Sequence, residues 1–221
     1  MRSRGGIGTI AITASQFPVS LMSDVHSSPV VGVLLAAGLG TRFDPSGQDS
    51  KLLAALPDGT PVAVAAARRL RAVMPEVIAV VRPGAEVLAE RLAIVGCRVL
   101  VAAEAAQGMG ASLAAAVRAS RDAGGWLVAL GDMPWVAPAS IRAVARELAS
   151  GRNTVAAPHH QGRRGHPVAF AAVHRDALAA LDGDTGARAL LLAHEVAEVE
   201  VDDPGVLRDV DTRDDLAGGP A

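Results

Sequence analysis

Three segments of this chain deliver polar or charged side chains straight off runs of aliphatic residues. The first is "VVGVLLAAGLGTRF", Val30 to Phe43, followed at a distance by Lys51. Gly38 and Gly40 let a backbone approach phosphate oxygens with no Cβ in the way, and Arg42 and Lys51 add fixed positive charge. Phe43 stands where the third glycine of G-x-G-x-x-G would be, and the Gly-Lys-Ser/Thr close of a P-loop is missing. On the residues alone the segment is either a phosphate loop or an ordinary tight turn between strand and helix.

The second segment, "WLVALGDMPWV", ends an aliphatic strand on Gly131-Asp132. A carboxylate delivered rigidly to the end of a strand suits a hard divalent cation bridging phosphate oxygens, and equally suits a turn cap beside Pro134. The third, "DVDTRDDL", sets Asp209 and Asp211 at alternate positions leaving a strand, so both side chains can face one side. Asp211 and Thr212 also fit as N-caps of a last short helix.

Positioning these segments requires a sheet. After Pro29 short β-branched runs alternate with helical stretches, the pattern of βα units on a mostly parallel sheet. "VVGVLL", "VIAVV", "CRVLVAA" and "WLVAL" read as four strands, with helices over "PVAVAAARRLRAV", "AEVLAERLAIVG" and "ASLAAAVRASRDAGG" as the crossovers. A helix from Pro138 to about Ala149 follows. Then "NTVAAP" and "HPVAF" read as shorter strands around a basic loop, "HHQGRRG", which signals an insertion or an antiparallel element. "GARALLLAHE" reads as a helix and "VAEVEV" as a strand. In such sheets ligands collect at the carboxyl ends of the strands, where all three segments are expected to fall.

With 221 residues the chain is one α/β domain over 29–221, preceded by a disordered tail over 1–28 that has no sustained apolar region. Met22 would serve as a natural start. A formal net charge of −2 gives no basic surplus for nucleic acid, so the expected partner is a small molecule. No apolar run reaches the ~20 residues of a membrane span. The single cysteine, Cys97, excludes an internal disulfide, suits a cytoplasmic protein, and reads as a small apolar residue entering a strand.

Taken in order, "LLAAGLGTRF…K", "GMGASL", "GDMP", "RRGHPVAF", "GDTGARALL" and "DVDT" resemble the MobA-like nucleotidyltransferases, and within them the molybdenum cofactor cytidylyltransferases. The likeness runs from about Val31 to Leu216. It implies a Rossmann-like nucleotidyltransferase domain, a mostly parallel sheet with helices on both faces. It implies CTP as nucleotide, Mg²⁺ as cofactor and a molybdopterin-type acceptor, with a recipient molybdoenzyme of the xanthine dehydrogenase type as a further partner. By the same resemblance Leu35, Ala36, Ala37, Gly38, Gly40, Arg42 and Lys51 meet the nucleotide, with Gln107 and Ser112 at its base beside Met109. Asp132 and Asp211 hold the metal, Arg42, Lys51 and Asp132 are catalytic, and Arg163, Arg164, Gly165, His166, Asp184 and Arg188 bind the acceptor. The three arginines are expected to face one pocket.

In one respect the chain departs from the family: "FDPSGQDS" separates Arg42 from Lys51 where the family has only a few residues, and Pro45 and Gly47 suit a turn that folds the excess away. His166 also fits a local hydrogen-bonding role ahead of Pro167, and Ser112 an ordinary helix start. His159, His160, His174 and His194 show no metal-ligand spacing. Two other functions fit the same residues. One is nucleotidyl transfer to a sugar phosphate or methylerythritol phosphate. The other is a non-catalytic carrier or maturation chaperone that binds nucleotide and delivers a cofactor.

Overall fold

Hydrophobic alternation along the strands determines which face each residue serves. In β2 (Val77–Val81), buried throughout, Val77, Ala79 and Val81 join one apolar cluster while Ile78 and Val80 join another. A strand so covered must be central, and it lies between β1 (Val30–Leu35) and the more exposed edge strand β3 (Arg98–Val101), parallel to both. On its other side β1 pairs in parallel with β4 (Gly125–Leu130) over all six residues. These are the four strands expected from the sequence.

The computed structural model describes residues 28–46, 49–184 and 186–217. The tail assigned to 1–28, Ser28 apart, lies outside the described residues, as do Gly47 and Thr185. The crossover helices are α1 (Val62–Arg71), α2 (Glu86–Ile94) and α3 (Met109–Arg118), with α4 (Pro138–Ala149) after β4. Leu70, Leu92, Ile141 and Val144, from α1, α2 and α4, cover one face, and α3 covers the other through Leu113, Ala116 and Val117. Each such fully buried leucine or isoleucine contributes about 1.5–3 kcal/mol. Trp126, wholly buried on β4, donates from Nε1 to Ser120 Oγ at 2.9 Å, so its one polar atom is not stranded. Cys97 is buried, and burial pushes its thiol up to about 11, so it behaves as a small apolar residue.

Beyond β4 the sheet turns antiparallel. β5 (Val155–His160) and β6 (Arg163–Arg164) form a hairpin within the segment read as a basic loop, and β7 (Val168–Ala171) inserts antiparallel between β4 and β5, the antiparallel element that is one of the two readings of this region. Gln161 and Gly162, at φ 51° and 73°, form the two-residue turn. Both residues must be left-handed in a turn of that kind, and a glutamine at the first position hides the signal that Asn-Gly would have given. α5 (Arg175–Ala179) and α6 (Arg188–Ala193) follow, and β8 (Ala197–Glu200) adds in parallel to β5. The five-residue α5 is too short to show a helical period in sequence.

The expected strand at "DVD" and the expected last helix differ in detail. Residues 208–211 join no ladder, and the described residues end in a 3-10 turn at Asp214–Ala217. Val210 nevertheless is completely buried among Phe43, Leu56, Val62 and Trp135. That anchor does what a strand would have done, turning one side chain in and both its neighbours out.

Candidate active site

Backbone bonds at the carboxyl edge of β1 and β4 assemble the charged residues. Gly131 N–H donates to Leu35 O at 2.9 Å, tying the end of β4 to the end of β1, and a Cβ on Gly131 would stand 3.0 Å from that same oxygen. Asp132 follows at once. Its own carbonyl accepts from Val210 N–H at 2.8 Å, which draws the C-terminal segment alongside and places Asp209 and Asp211 next to it. Asp132, Asp209 and Asp211 each present an oxygen within 4.8 Å of the others. The pair expected from sequence thus gains Asp209 as a third member. The alternation in "DVD" was the signal for it.

The opening loop supplies the countercharge. Phe43 is buried beside Val210, so the residue in place of a third glycine is the loop's anchor. Of the extra residues before Lys51, Ser46 and Asp49 donate from their N–H groups to the Asp44 carboxylate, at 3.0 and 2.7 Å. Lys51 then enters the interior at 8 % exposure. Its Nζ donates to Asp132 Oδ2 at 2.7 Å and to Asp211 Oδ1 at 3.3 Å, while Arg42 Nη1 lies 2.6 Å from Asp211 Oδ2. Burial lowers the Lys51 pKa, but Asp132 and Asp211 outweigh it and hold it above the ordinary value, so the ammonium persists at neutral pH. Asp209 is pushed upward by burial, Asp211 and Asp132. Asp132 Oδ1 is buried with no hydrogen-bond partner among the described residues. An orphaned carboxylate oxygen amid a carboxylate trio is the donor set a hard divalent cation takes.

Asp211 and Thr212 do not cap the last turn with their side chains. Asp215 reaches back instead, accepting from Thr212 Oγ1 at 2.8 Å and from the N–H groups of Thr212 and Asp211 at 2.7 and 3.0 Å, and those bonds hold its carboxyl below the usual range.

A cleft of about 460 Å³ runs from this cluster to the start of α3. Leu35, Ala37, Gly38, Gly40, Arg42, Lys51 and Ser112 of the expected nucleotide set line it together, with Asp132. Asp184 lines it too, although the sequence assigned it to the acceptor. The reason is a loop contact: Gly110 N–H donates to Gly183 O at 2.8 Å, and a Cβ on Gly108 would meet Asp184 Oδ1 at 2.1 Å. Two residues of the expected set stand apart. Ala36 is packed in the core at 1 % exposure, because it continues the alternation of β1, and Gln107 is exposed and does not line the cleft. Ser112 Oγ donates to Gly108 O at 2.9 Å, so it faces a ligand as an acceptor.

A second cleft of about 150 Å³ shares Leu35, Met109 and Leu130 with the first and is mostly apolar, with His166 and Arg188 its only basic side chains. Burial lowers the His166 pKa against the pull of Asp132, so the imidazole is neutral at pH 7. The three arginines do not share one pocket. Arg188 lines this cleft, whereas Arg163 and Arg164 stand exposed on the β5–β6 hairpin opposite His160 and His159. Gly165 is packed against backbone, where a Cβ would lie 2.2 Å from Val206 O. The histidines gave no metal spacing in sequence, yet His159 Nδ1 lies 3.1 Å from Glu198 Oε2 with Glu200 close by. The β5–β8 register creates that group from residues some forty positions apart.

Residues 32–199 match the family described as the MobA-like NTP transferase domain. The chain belongs to that family. Comparison with curated proteins gives no match. Among solved structures, Rv0371c from Mycobacterium tuberculosis is 31% identical, with a TM-score of 0.72 over 85% of this chain and 95% of that one. The same protein, described as in complex with manganese, gives 30% identity and a TM-score of 0.67 over 85% and 96%. A nucleotidyl transferase from Methanothermobacter thermautotrophicus gives 28% and 0.69 over 85% and 94%. This MobA-like chain is thus a nucleotidyltransferase by family, with a carboxylate group suited to a divalent metal. Among the described residues no helix is long and apolar enough to cross a membrane.

The two loop glycines of this MobA-like domain predict different phenotypes. Gly40 has φ 66°, and a Cβ there would lie 3.1 Å from Lys51 Cγ. Gly40→Ala therefore costs about 1–2 kcal/mol of stability and, by displacing Lys51, about tenfold in turnover. A Cβ on Gly38 meets nothing within 4 Å. Gly38→Ala leaves the thermal midpoint unchanged and raises the nucleotide KM by about tenfold, as a methyl group intrudes on bound phosphate. Melting curves and steady-state kinetics on both variants check this; a normal KM for Gly38→Ala would mean that no ligand uses the space.

Proposed function

We propose that the chain transfers CMP from CTP to the terminal phosphate of a molybdopterin-type cofactor, releasing pyrophosphate. The observation that carries this is the convergence of Arg42, Lys51, Asp132 and Asp211 at one end of a nucleotide-sized cleft that opens onto a smaller one lined by His166 and Arg188. The choice of CTP rests on Ala36-Ala37-Gly38, which resembles cytidine-nucleotide users where guanine-nucleotide users have Leu-Ala-Gly-Gly. Ala37, lining the cleft, adds a Cβ where a purine would otherwise approach the backbone.

In this reading an oxygen of the acceptor phosphate attacks the α-phosphorus of CTP, the bond to the bridging oxygen of the β-phosphate breaks, and pyrophosphate leaves with that oxygen. No protein nucleophile is needed. Arg42 and Lys51 neutralise the leaving pyrophosphate, and the cleft holds the triphosphate in line with the acceptor. Asp132, Asp209 and Asp211 would hold Mg²⁺, as the unpartnered Asp132 Oδ1 suits, and manganese in the Rv0371c structure supports a divalent ion in this family. When bound, the ion offsets charge on the α-phosphate. Arg188 takes the acceptor's phosphate, and neutral His166 lines its path. The site of action is the cytoplasm, and the product passes to a molybdoenzyme of the xanthine dehydrogenase type.

Incubating the protein with molybdopterin, Mg²⁺ and each nucleoside triphosphate, and measuring pyrophosphate, tests this. CTP is expected to exceed GTP by about tenfold, the scale set by one steric conflict in a pocket. Equal or faster release with GTP overturns the base assignment. Release from no triphosphate overturns molybdopterin as the acceptor, and the same result with sugar phosphate and methylerythritol phosphate acceptors overturns the enzymatic reading in favour of a carrier.

A further inference from the structure

Lys51 and Arg42 already bond the oxygens that a divalent ion would take. Lys51 Nζ spans Asp132 Oδ2 and Asp211 Oδ1, and Arg42 Nη1 holds Asp211 Oδ2, leaving Asp132 Oδ1 as the unpartnered atom of those two carboxylates among the described residues. Two cations therefore balance most of the charge of three aspartates. We infer that Lys51 and Arg42 are resident counterions of the aspartate group, so that a divalent ion binds weakly until a triphosphate draws both side chains onto its own oxygens.

The physical reason is competition at short range. An ammonium and a divalent ion cannot share the same carboxylate oxygens in a partly buried site, because their repulsion there is only weakly screened. The two cations must have somewhere to go. Both line the cleft together with Gly38 and Gly40, so phosphate oxygens placed there lie within reach of both side chains. Arg42 has a side chain 79 % exposed, so no packing opposes its transfer from Asp211 to a phosphate oxygen. The Lys51 stem packs over Gly40, and a swing of its terminal carbons moves Nζ from carboxylate to phosphate while the stem stays anchored. No covalent bond changes. The coupling is reciprocal: whatever factor the triphosphate adds to metal affinity, the metal adds to triphosphate affinity.

This rests on the nucleotide reading of the cleft, and the test separates the two. Mn²⁺ is titrated into nucleotide-free protein and followed by electron paramagnetic resonance. Lys51→Met is expected to tighten Mn²⁺ binding by about tenfold and Arg42→Ala by about threefold, as each removes a competing charge. Asp132→Asn weakens it in either background. Separately, the affinity of a fluorescent CTP analogue is measured with and without Mn²⁺. In the unaltered protein Mn²⁺ tightens it by about tenfold or more, and in Lys51→Met by much less, since metal entry there no longer waits for the triphosphate. Mn²⁺ affinity that is unchanged or weaker in both Lys51→Met and Arg42→Ala overturns the inference; the exposed Arg42 variant decides alone if Lys51→Met does not fold. A CTP analogue that fails to bind, beside tightened Mn²⁺, refutes the nucleotide reading and leaves the counterion role standing.

Discussion

Asp132→Asn lowers kcat by about 10²-fold or more, with the nucleotide KM changed less and the metal requirement raised. The substitution preserves size and one acceptor oxygen but removes a full charge from the carboxylate trio, and a charge acting on the transition state is expressed mainly in kcat. The loss is local. Gly131 N–H still reaches Leu35 O, and Asp132 O still accepts from Val210 N–H, since both bonds are made by backbone. Lys51 keeps Asp211 as a partner, so the thermal midpoint moves by only a few degrees. A mere turn cap at this position would behave in the opposite way, costing about 1 kcal/mol of stability and leaving turnover almost intact. Steady-state rates and a melting curve on one preparation separate the cases: normal turnover with a lowered midpoint defeats the metal assignment.

Arg188→Ala raises the KM for the pterin acceptor by roughly 10–100-fold, the loss of one charge-assisted hydrogen bond to phosphate, and leaves the KM for CTP near its original value. Arg188 opens α6, lines the smaller cleft with His166, and is outside the cleft that holds Arg42 and Lys51. The parallel changes Arg163→Ala and Arg164→Ala are expected to have much smaller effects, because both side chains stand on the hairpin and line neither cleft. Acceptor saturation curves on the three variants decide this. An unchanged acceptor KM in Arg188→Ala would return that residue to the solvated surface of its helix.

The central strands and crossover helices were legible because their information is local. Period-two runs such as "VIAVV" and helical periods such as that of α1 describe a residue's own environment, and burial merely realises it. The β5–β6 hairpin was not legible, since its turn opens on Gln161, nor was α5, which is shorter than two helical turns. At the site, Gly40, Arg42, Lys51 and Asp132 could be singled out by type and by position at the ends of strands. Asp209 could be seen as a candidate in "DVD" but not ranked beside Asp211, because its rank depends on where Val210 is buried.

By itself the sequence determined the class of the domain, the parallel half of its sheet and the loop residues able to meet phosphate, all properties of segments a few residues long. Only the tertiary structure decided which of them meet. One hydrogen bond, from Val210 to Asp132, brings together carboxylates about eighty residues apart, and Lys51 reaches both. The docking of Gly183 on Gly110 moved Asp184 into the cleft lined by Arg42 and Lys51, and the hairpin register carried Arg163 and Arg164 away from Arg188. Contacts of that kind depend on how whole elements pack against each other, and residue spacing along the chain carries no record of that packing.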